Sequence, residues 1–391
     1  MTGTISLKQR LLTPGPTQVP DAVLHEMALP LIHHRTKQFR AIFAEVSQRL
    51  QRVFRTTGPV LTLAGSGTTA FEAAQISLVT PGTKALTIAA GKFGERWQDV
   101  YDLYARTLGV EQVRINVDWG NAVEPGIIEQ ALREHRDLSV VIVVHSETST
   151  ATVCDVERIA QIVRQTEALL IVDGITSVGA MPVEMDAAGI DCVVTGSQKA
   201  MMLPPGLGCV ALGPRAIDRL AGVEPRGYYN LDLRRWLKTH ADNDVPFTPP
   251  VNLIRGLRVA LEMAEGEGLE NVWSRTRRLA EATRAAFDAM NLRPISTSPS
   301  DSVTGAFYPD SVDDSAFRAA LRDKHGIHLA GGQKGRGADW SGRIFRISHM
   351  GYVSAEDTLA ALTAVEAELL KAGVSIEPGA ASITAGRLLS A

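Results

Sequence analysis

The chain predicts an α/β fold in which a mostly parallel, seven-stranded sheet carries helices on both faces and a smaller α/β domain follows. Three observations lead there. Between residues 60 and 212, short apolar β-rich runs alternate with segments of helical period, the pattern of parallel strands joined by crossover helices. A small-residue turn, Gly65-Ser66-Gly67, separates the first such strand from its helix. A proline-rich break, Val245-Pro246-Phe247-Thr248-Pro249-Pro250, ends the alternation, and a second set of helix and strand patterns follows it. A length of 391 residues suffices for two domains, each with its own core.

Taken in order, residues 1–20 read as an extended arm, because Pro14, Pro16 and Pro20 leave no room for a helix. Residues 21–55 read as helices, the second with an apolar face of Phe39, Ile42, Phe43, Val46 and Leu50. Seven strands are expected at 60–63, 85–89, 113–115, 139–144, 169–172, 192–195 and 209–212, with helices at 68–78, 93–107, 125–134 and 156–166 between them. A long helix is expected from Val251 to Glu267, and a last one from Ala355 to Ala372. The large domain is therefore placed at 21–265 and the small one at 266–375, with 376–391 as a loose tail.

Hydrophobic content of 45% and charged content of 21% are ordinary for a globular enzyme, and a net charge of -3 gives no reason to expect nucleic acid or a membrane surface as partner. Cys154, Cys192 and Cys209 have no metal-type or CxxC spacing and read as reduced core residues. The first residues carry no signal-peptide hydrophobic region, and no apolar run approaches the ~20 residues that span a bilayer. A soluble, cytoplasmic protein is expected.

The chemistry is concentrated at strand ends. Thr195-Gly196-Ser197-Gln198-Lys199 places a lysine after a buried strand and before the break Pro204-Pro205-Gly206. Burial disfavours the ammonium, lowers the amine's pKa and makes it a nucleophile suited to Schiff-base chemistry. Asp173 ends the strand Leu169-Leu170-Ile171-Val172, on the sheet edge where open α/β folds bind ligands. It either caps the following turn or meets a cationic ligand group. His145-Ser146-Glu147-Thr148-Ser149-Thr150 follows another strand and offers several hydroxyls, with or without a ligand. Gly65-Ser66-Gly67-Thr68 suits a phosphate at a helix N-terminus, or a plain tight turn. The adjacent pair His33-His34 lacks further ligands at metal spacing. That leaves a solvated or interface cluster, or an Arg35 that contacts substrate across a dimer.

In this order the motifs resemble the fold-type I pyridoxal-phosphate enzymes, specifically the class V aminotransferases of the alanine–glyoxylate and serine–glyoxylate kind. The resemblance covers residue 11 to about 372, its first motif being Leu12-Thr13-Pro14-Gly15-Pro16-Thr17 and its last Arg346-Ile347-Ser348-His349-Met350-Gly351. It implies pyridoxal 5'-phosphate as cofactor, held as a Schiff base by Lys199, with Lys199 also the base that moves the substrate proton. Asp173 would partner the pyridine nitrogen. Gly67, Thr68 and Gln198 would meet the phosphate, and Phe93, where many relatives carry tryptophan, would stack on the ring. Thr148 and Ser177 would hydrogen-bond near the ring, and Arg346 would grip the substrate α-carboxylate with its planar fork. Thr248 would reach the phosphate of a neighbouring subunit, making a homodimer with active sites at the interface.

The reaction implied is ping-pong transfer of an amino group from a small amino acid, alanine or serine in preference to aspartate or an aminophosphonate, to a 2-oxo acid such as glyoxylate or pyruvate. Three other readings are weaker. A desulfurase-type lyase needs a cysteine on a C-terminal-domain loop, and all three cysteines precede residue 210. A nicotinamide oxidoreductase leaves Lys199 without a purpose. A non-enzymatic cofactor-binding protein has no need of Asp173 and Lys199 together.

Overall fold

The computed structural model describes residues 7–222 and 228–390; the first six residues of the expected arm and the last of the expected tail lie outside them. The chain runs β1 (Arg10–Leu11), α1 (Asp21–Met27), α2 (Lys37–Phe54), β2 (Val60–Gly65), α3 (Gly67–Leu78), β3 (Lys84–Ala89), α4 (Lys92–Leu108) and β4 (Glu111–Asn116). It continues through α5 (Pro125–Glu134), β5 (Leu138–Val144), β6 (Ser146–Glu147), β7 (Thr152–Val153), α6 (Val156–Val163), β8 (Leu169–Asp173), α7 (Met185–Ala188), β9 (Cys192–Gly196) and β10 (Gly206–Leu212). Helices α8 (Pro214–Gly222), α9 (Leu233–His240), α10 (Val251–Glu267) and α11 (Leu269–Ala289) follow. The remainder is β11 (Val303–Phe307), α12 (Asp314–His325), β12 (Ile327–His328), β13 (Ala330–Gly331), β14 (Ile344–Ser348), α13 (Ala355–Lys371) and α14 (Ala380–Leu389).

Seven strands form one sheet in the order β2-β10-β9-β8-β5-β3-β4. Pairings among β4, β3, β5, β8 and β9 are parallel, and β10 runs antiparallel to both its neighbours. The apolar runs were legible because inner parallel strands are covered on both faces: all five residues of β8 and of β9 are buried. Chain order reverses between β3 and β5, which opens a crevice at the carboxyl ends of these strands. Local signals set the helix that faces it. Ser66 accepts from the Thr68 N–H and Thr69 reaches back to Ser66 N–H, a reciprocal cap that starts α3 directly after β2.

The second sheet is small and antiparallel, in the order β11-β14-β13. Its core includes Phe287, Phe317, Phe345 and Leu362. The changeover between the two cores falls inside α11: Leu269 and Trp273 pack with the large sheet, Leu279 and Phe287 with the small one. The arm also joins the second core. Arg10 and Leu11 pair in parallel with Ile327 and His328, and Leu12 is buried there.

The expected loose tail is corrected. Residues 380–389 form α14, which packs against α11 and α13 with Ala381 and Ala385 fully buried. The Glu366 carboxylate of α13 accepts from the N–H groups of Gly379 and Ala381, satisfying donors that an uncapped helix start leaves open. Its apolar face is built largely of alanine, which carries little periodic signal. The helix expected at 156–166 ends at Val163, and α8 and α9 add helical turns where the sequence suggested none. Ala385→Leu should force extra methylenes into this seam and cost about 1–3 kcal/mol. A urea melt would register that as a lower midpoint; an unchanged midpoint would mean the segment is not packed.

Candidate active site

Three strand ends lie side by side, with Val144, Asp173 and Val194 in register on β5, β8 and β9. The loops leaving them meet the starts of α3 and α4 around a cavity lined by both polar and apolar side chains. Gly67 and Thr68 enter it from α3, Phe93 and Arg96 from α4, and Ser146 from beyond β5. Asp173 and Thr176 come from the end of β8, Gln198 and Lys199 from the turn after β9.

Lys199 sits in a turn closed by Ser197, whose hydroxyl donates to the Pro204 carbonyl (2.7 Å) and accepts from the Leu207 N–H (3.2 Å). The N-terminal arm lies directly across it. The amine donates to the Pro14 carbonyl, Thr17 donates to the Lys199 carbonyl (2.7 Å), and a Cβ on Gly15 would meet Nζ at 2.3 Å. Gly15 has φ +130°, so only glycine lets the arm pass this close. Burial pulls the amine down to about 8; the Asp173 carboxylate opposes the shift, and the Arg346 and Arg96 guanidiniums add to it.

Asp173 is 5% exposed. Its two oxygens take one donor each: Oδ1 from the Ile175 N–H (2.9 Å) and Oδ2 from the indole N–H of Trp97 (3.0 Å). Burial raises its pKa, against these two hydrogen bonds and the charges of Lys199 and Arg96. Opposite, the start of α3 forms a close cradle. A Cβ on Gly67 would strike Ile175 at 2.8 Å, and one on Gly196 would approach the Gln198 Oε1 at 2.9 Å and Gly67 at 3.1 Å. The Gln198 Oε1 is buried with no hydrogen-bond partner among the described residues. Bare backbone N–H groups at a helix N-terminus suit a phosphate, to which the Gln198 amide would have to turn its NH2 rather than this oxygen.

Glu147 sets the position of Phe93. Its Oε2 accepts from the N–H groups of Phe93 (3.0 Å) and Gly94 (2.9 Å), and its Oε1 from Ser149 N–H and Oγ. It thereby caps α4 from across the cavity wall, an anion at the positive end of the helix. Burial raises its pKa.

Arg346, on β14 of the small domain, is 4% exposed and lies outside the cavity lining, behind the Thr148 loop, where its charge acts on Lys199. It donates through Nη1 to the Thr148 carbonyl (2.6 Å) and through Nε and Nη2 to the Gly331 carbonyl (3.2 and 2.6 Å). It makes no ion pair among the described residues, and burial pulls it down to about 10. Three of its five N–H groups are thus engaged and two remain for a ligand carboxylate.

Several expected residues stand elsewhere. Thr148 does not line the cavity; its carbonyl holds Arg346 instead. Ser177 is fully buried outside the cavity lining, and its hydroxyl is unpartnered among the described residues. The cavity hydroxyls are those of Ser146, Thr176 and Thr68, so the strand-end loops were read a residue or two out of place. Thr248 is exposed and outside the cavity of its own chain. Arg35 is held by Asp244 (2.8 Å) and the Val245 carbonyl (2.9 Å), and the described residues contain no cluster able to hold a metal.

Four contributors were missed: Arg96, Trp97, Ser146 and Thr176. Arg96 and Trp97 follow Phe93 by three and four residues, a spacing that puts them on its face of α4 and could have flagged them. Ser146 joins Ser300 (2.7 Å) and Ser302 (2.8 Å) of the other domain in a triangle of hydroxyls, which no local pattern announces.

Comparison with known proteins agrees with this geometry. The family model for class V aminotransferases matches residues 11–359. The chain is 40% identical to the soluble hydrogenase small subunit of a Synechococcus strain, covering 98% of this chain and 99% of that one. It is 32% identical to a serine–glyoxylate aminotransferase of Methylorubrum extorquens, covering 98% and 96%. A solved aspartate aminotransferase of subgroup IV from Thermus thermophilus superposes with a TM-score of 0.84 at 32% identity, covering 93% of this chain and 99% of that one.

The depressed Lys199 amine has a measurable consequence. Pyridoxal phosphate offered to the apo protein and trapped on Lys199 by borohydride should attach at a rate that rises with pH through about 8, well below the ordinary lysine value. Because the Arg346 charge helps to lower that pKa, Arg346→Gln should move the midpoint upward. A midpoint that stays in place or moves down would remove Arg346 from the electrostatics of the site.

Proposed function

This chain belongs to the class V aminotransferases, and from that premise we propose that it moves an amino group from a small amino acid, alanine or serine, to a 2-oxo acid such as glyoxylate or pyruvate. It has the fold of the type I pyridoxal-phosphate enzymes and is a pyridoxal-phosphate-dependent transaminase. The observation that carries the proposal is the placement of one amine of lowered pKa, Lys199, between the charges of Asp173 and Arg346.

The residues fit the cofactor. The glycine cradle and Gln198 would take its phosphate, Phe93 one face of its ring, and the Asp173 carboxylate its ring nitrogen. When bound, the cofactor supplies an electron sink for the charge left at the amino-acid α-carbon. Lys199 would do the proton work: with a pKa of about 8 a useful fraction of its Nζ is unprotonated near neutral pH, free to take the proton from the substrate α-carbon and to deliver it to the carbon that receives the amino group. Arg346 holds the substrate carboxylate by its two free N–H groups and so fixes the α-carbon beside that amine. Donor and acceptor both carry a carboxylate next to the reacting carbon, so one grip serves both half-reactions. The arm segment Pro14–Gly15 covers Lys199 and limits water there.

We read the functional unit as a cytoplasmic homodimer in which Thr248, exposed in its own chain, meets the phosphate bound by the partner. A second reading has an observation of its own. Arg96 lines the cavity, lies 4.9 Å over the Phe93 ring and has no ion pair or hydrogen bond among the described residues. Such a cation could read the side-chain carboxylate of aspartate, the donor named for the solved Thermus relative.

Titrating single amino acids against the absorption band of the bound cofactor tests both. Alanine or serine should bleach the band fastest. If aspartate does so instead, and Arg96→Gln slows aspartate about tenfold or more while sparing alanine, the second reading replaces the first. Lys199→Ala should keep its circular dichroism and lose turnover in every case; retained turnover would sink the assignment of the base.

A further inference from the structure

Trp97 is the residue beside the site that neither the motifs nor the proposed mechanism accounts for. It stands one helical turn beyond Phe93 on α4, is fully buried, and directs its only polar atom to the Asp173 Oδ2 at 3.0 Å. We propose that Trp97 is a positioning residue: its indole N–H holds the Asp173 carboxylate as an anion with its remaining lone pairs toward the cavity, ready for the cofactor's ring nitrogen. The proposal rests on the assignment of Asp173 to that nitrogen.

The chemistry of the donors carries it. Asp173 accepts from two groups, the Ile175 N–H and the Trp97 indole, and both can only donate. A histidine, hydroxyl or water in either place could turn round and accept a proton from a neutral Asp173. Neither of these can. Protonating the carboxylate would therefore either break one of the two bonds or send the new O–H into the cavity, where it would oppose the ring N–H. The charges facing Asp173 are Lys199 and Arg96, which favour the anion, and Glu147, which opposes it; burial also opposes it. The ionised state accordingly draws on those two cations together with its two hydrogen bonds. A backbone amide supplies one of them and is fixed by the β8 turn. Trp97 supplies the other, and it is the one the sequence is free to choose. Through α4 the same helix presents Phe93 to the cavity and Trp97 to the carboxylate, so the Glu147 cap at the helix start aligns both.

The test uses the holoenzyme reconstituted with ¹⁵N-labelled pyridoxal phosphate. Trp97 is replaced by phenylalanine and, in a second variant, by benzothienylalanine, which keeps the indole shape with sulfur in place of N–H. In both variants the ring-nitrogen resonance should move toward the unprotonated position. The turnover number should fall about tenfold to a hundredfold, as for loss of a hydrogen bond to a charged group, with the KM for the amino donor little changed. If the benzothienylalanine enzyme matches the native resonance and turnover, Trp97 is packing alone and the proposal is overturned, whatever the phenylalanine variant does. Asp173→Asn separates the two levels of the argument. If its ring nitrogen also stays protonated, the assignment of Asp173 fails and the role of Trp97 fails with it. If only Asp173→Asn loses the proton, the assignment of Asp173 stands and Trp97 alone is refuted.

Discussion

Burying the Asp173 carboxylate at the end of β8 is the constraint to which the rest of the site answers. A charge removed from water must find hydrogen bonds or opposite charge, or it will neutralise itself. Here the answers come from three places at once: the turn after β8, the indole on α4, and the cations Lys199 and Arg96. The same desolvation acts on Lys199 with the opposite chemical result, since it frees an amine where it threatens a carboxylate. One desolvated space thus favours a neutral amine and leaves a carboxylate dependent on its partners.

Glu147 and Arg346 extend that logic across the two domains. Glu147 ties the loop after β5 to the start of α4, and Arg346 ties the same loop to the small sheet through the Thr148 carbonyl. The serine triangle of Ser146, Ser300 and Ser302, together with the Thr152–Ser296 hydroxyl contact (2.9 Å), stitches the junction alongside. A second clasp runs from the loop after β13, where Arg336 and Gly337 donate their N–H groups to Glu95 (2.8 Å each) one turn into α4. Helix α4 is therefore held at its first turns from both domains, and it is the helix that carries Phe93, Arg96 and Trp97.

Much of this was legible in the chain and some was not. Six of the seven strands could be located because each is a short apolar run bounded by turn residues, and the inner parallel ones, covered on both faces, need no alternation; the polar edge strand β4 showed only its Val113–Ile115 centre. Lys199, Asp173 and Gly67 could be singled out because each breaks the local rule of its surroundings: a cation, an anion and a bare backbone at the ends of buried strands. Thr148 and Ser177 could not be distinguished from Ser146 and Thr176, since a loop has no period to say which hydroxyl faces a cavity. The helix α14 escaped notice because its buried face is mostly alanine. Its start, moreover, is capped by Glu366, a side chain on another helix.

By itself, the sequence determined the layered α/β architecture, the sheet edge that carries the candidate site, and the lysine and buried carboxylate that stand there. These depend on local composition, which burial makes readable. Tertiary structure alone decided that the N-terminal arm closes over Lys199, that Arg346 arrives from the other sheet with two N–H groups unspent, and that Trp97 completes Asp173. Those contacts join residues far apart in the chain. Such partners are selected by where the backbone brings unsatisfied groups together, and no local pattern encodes that.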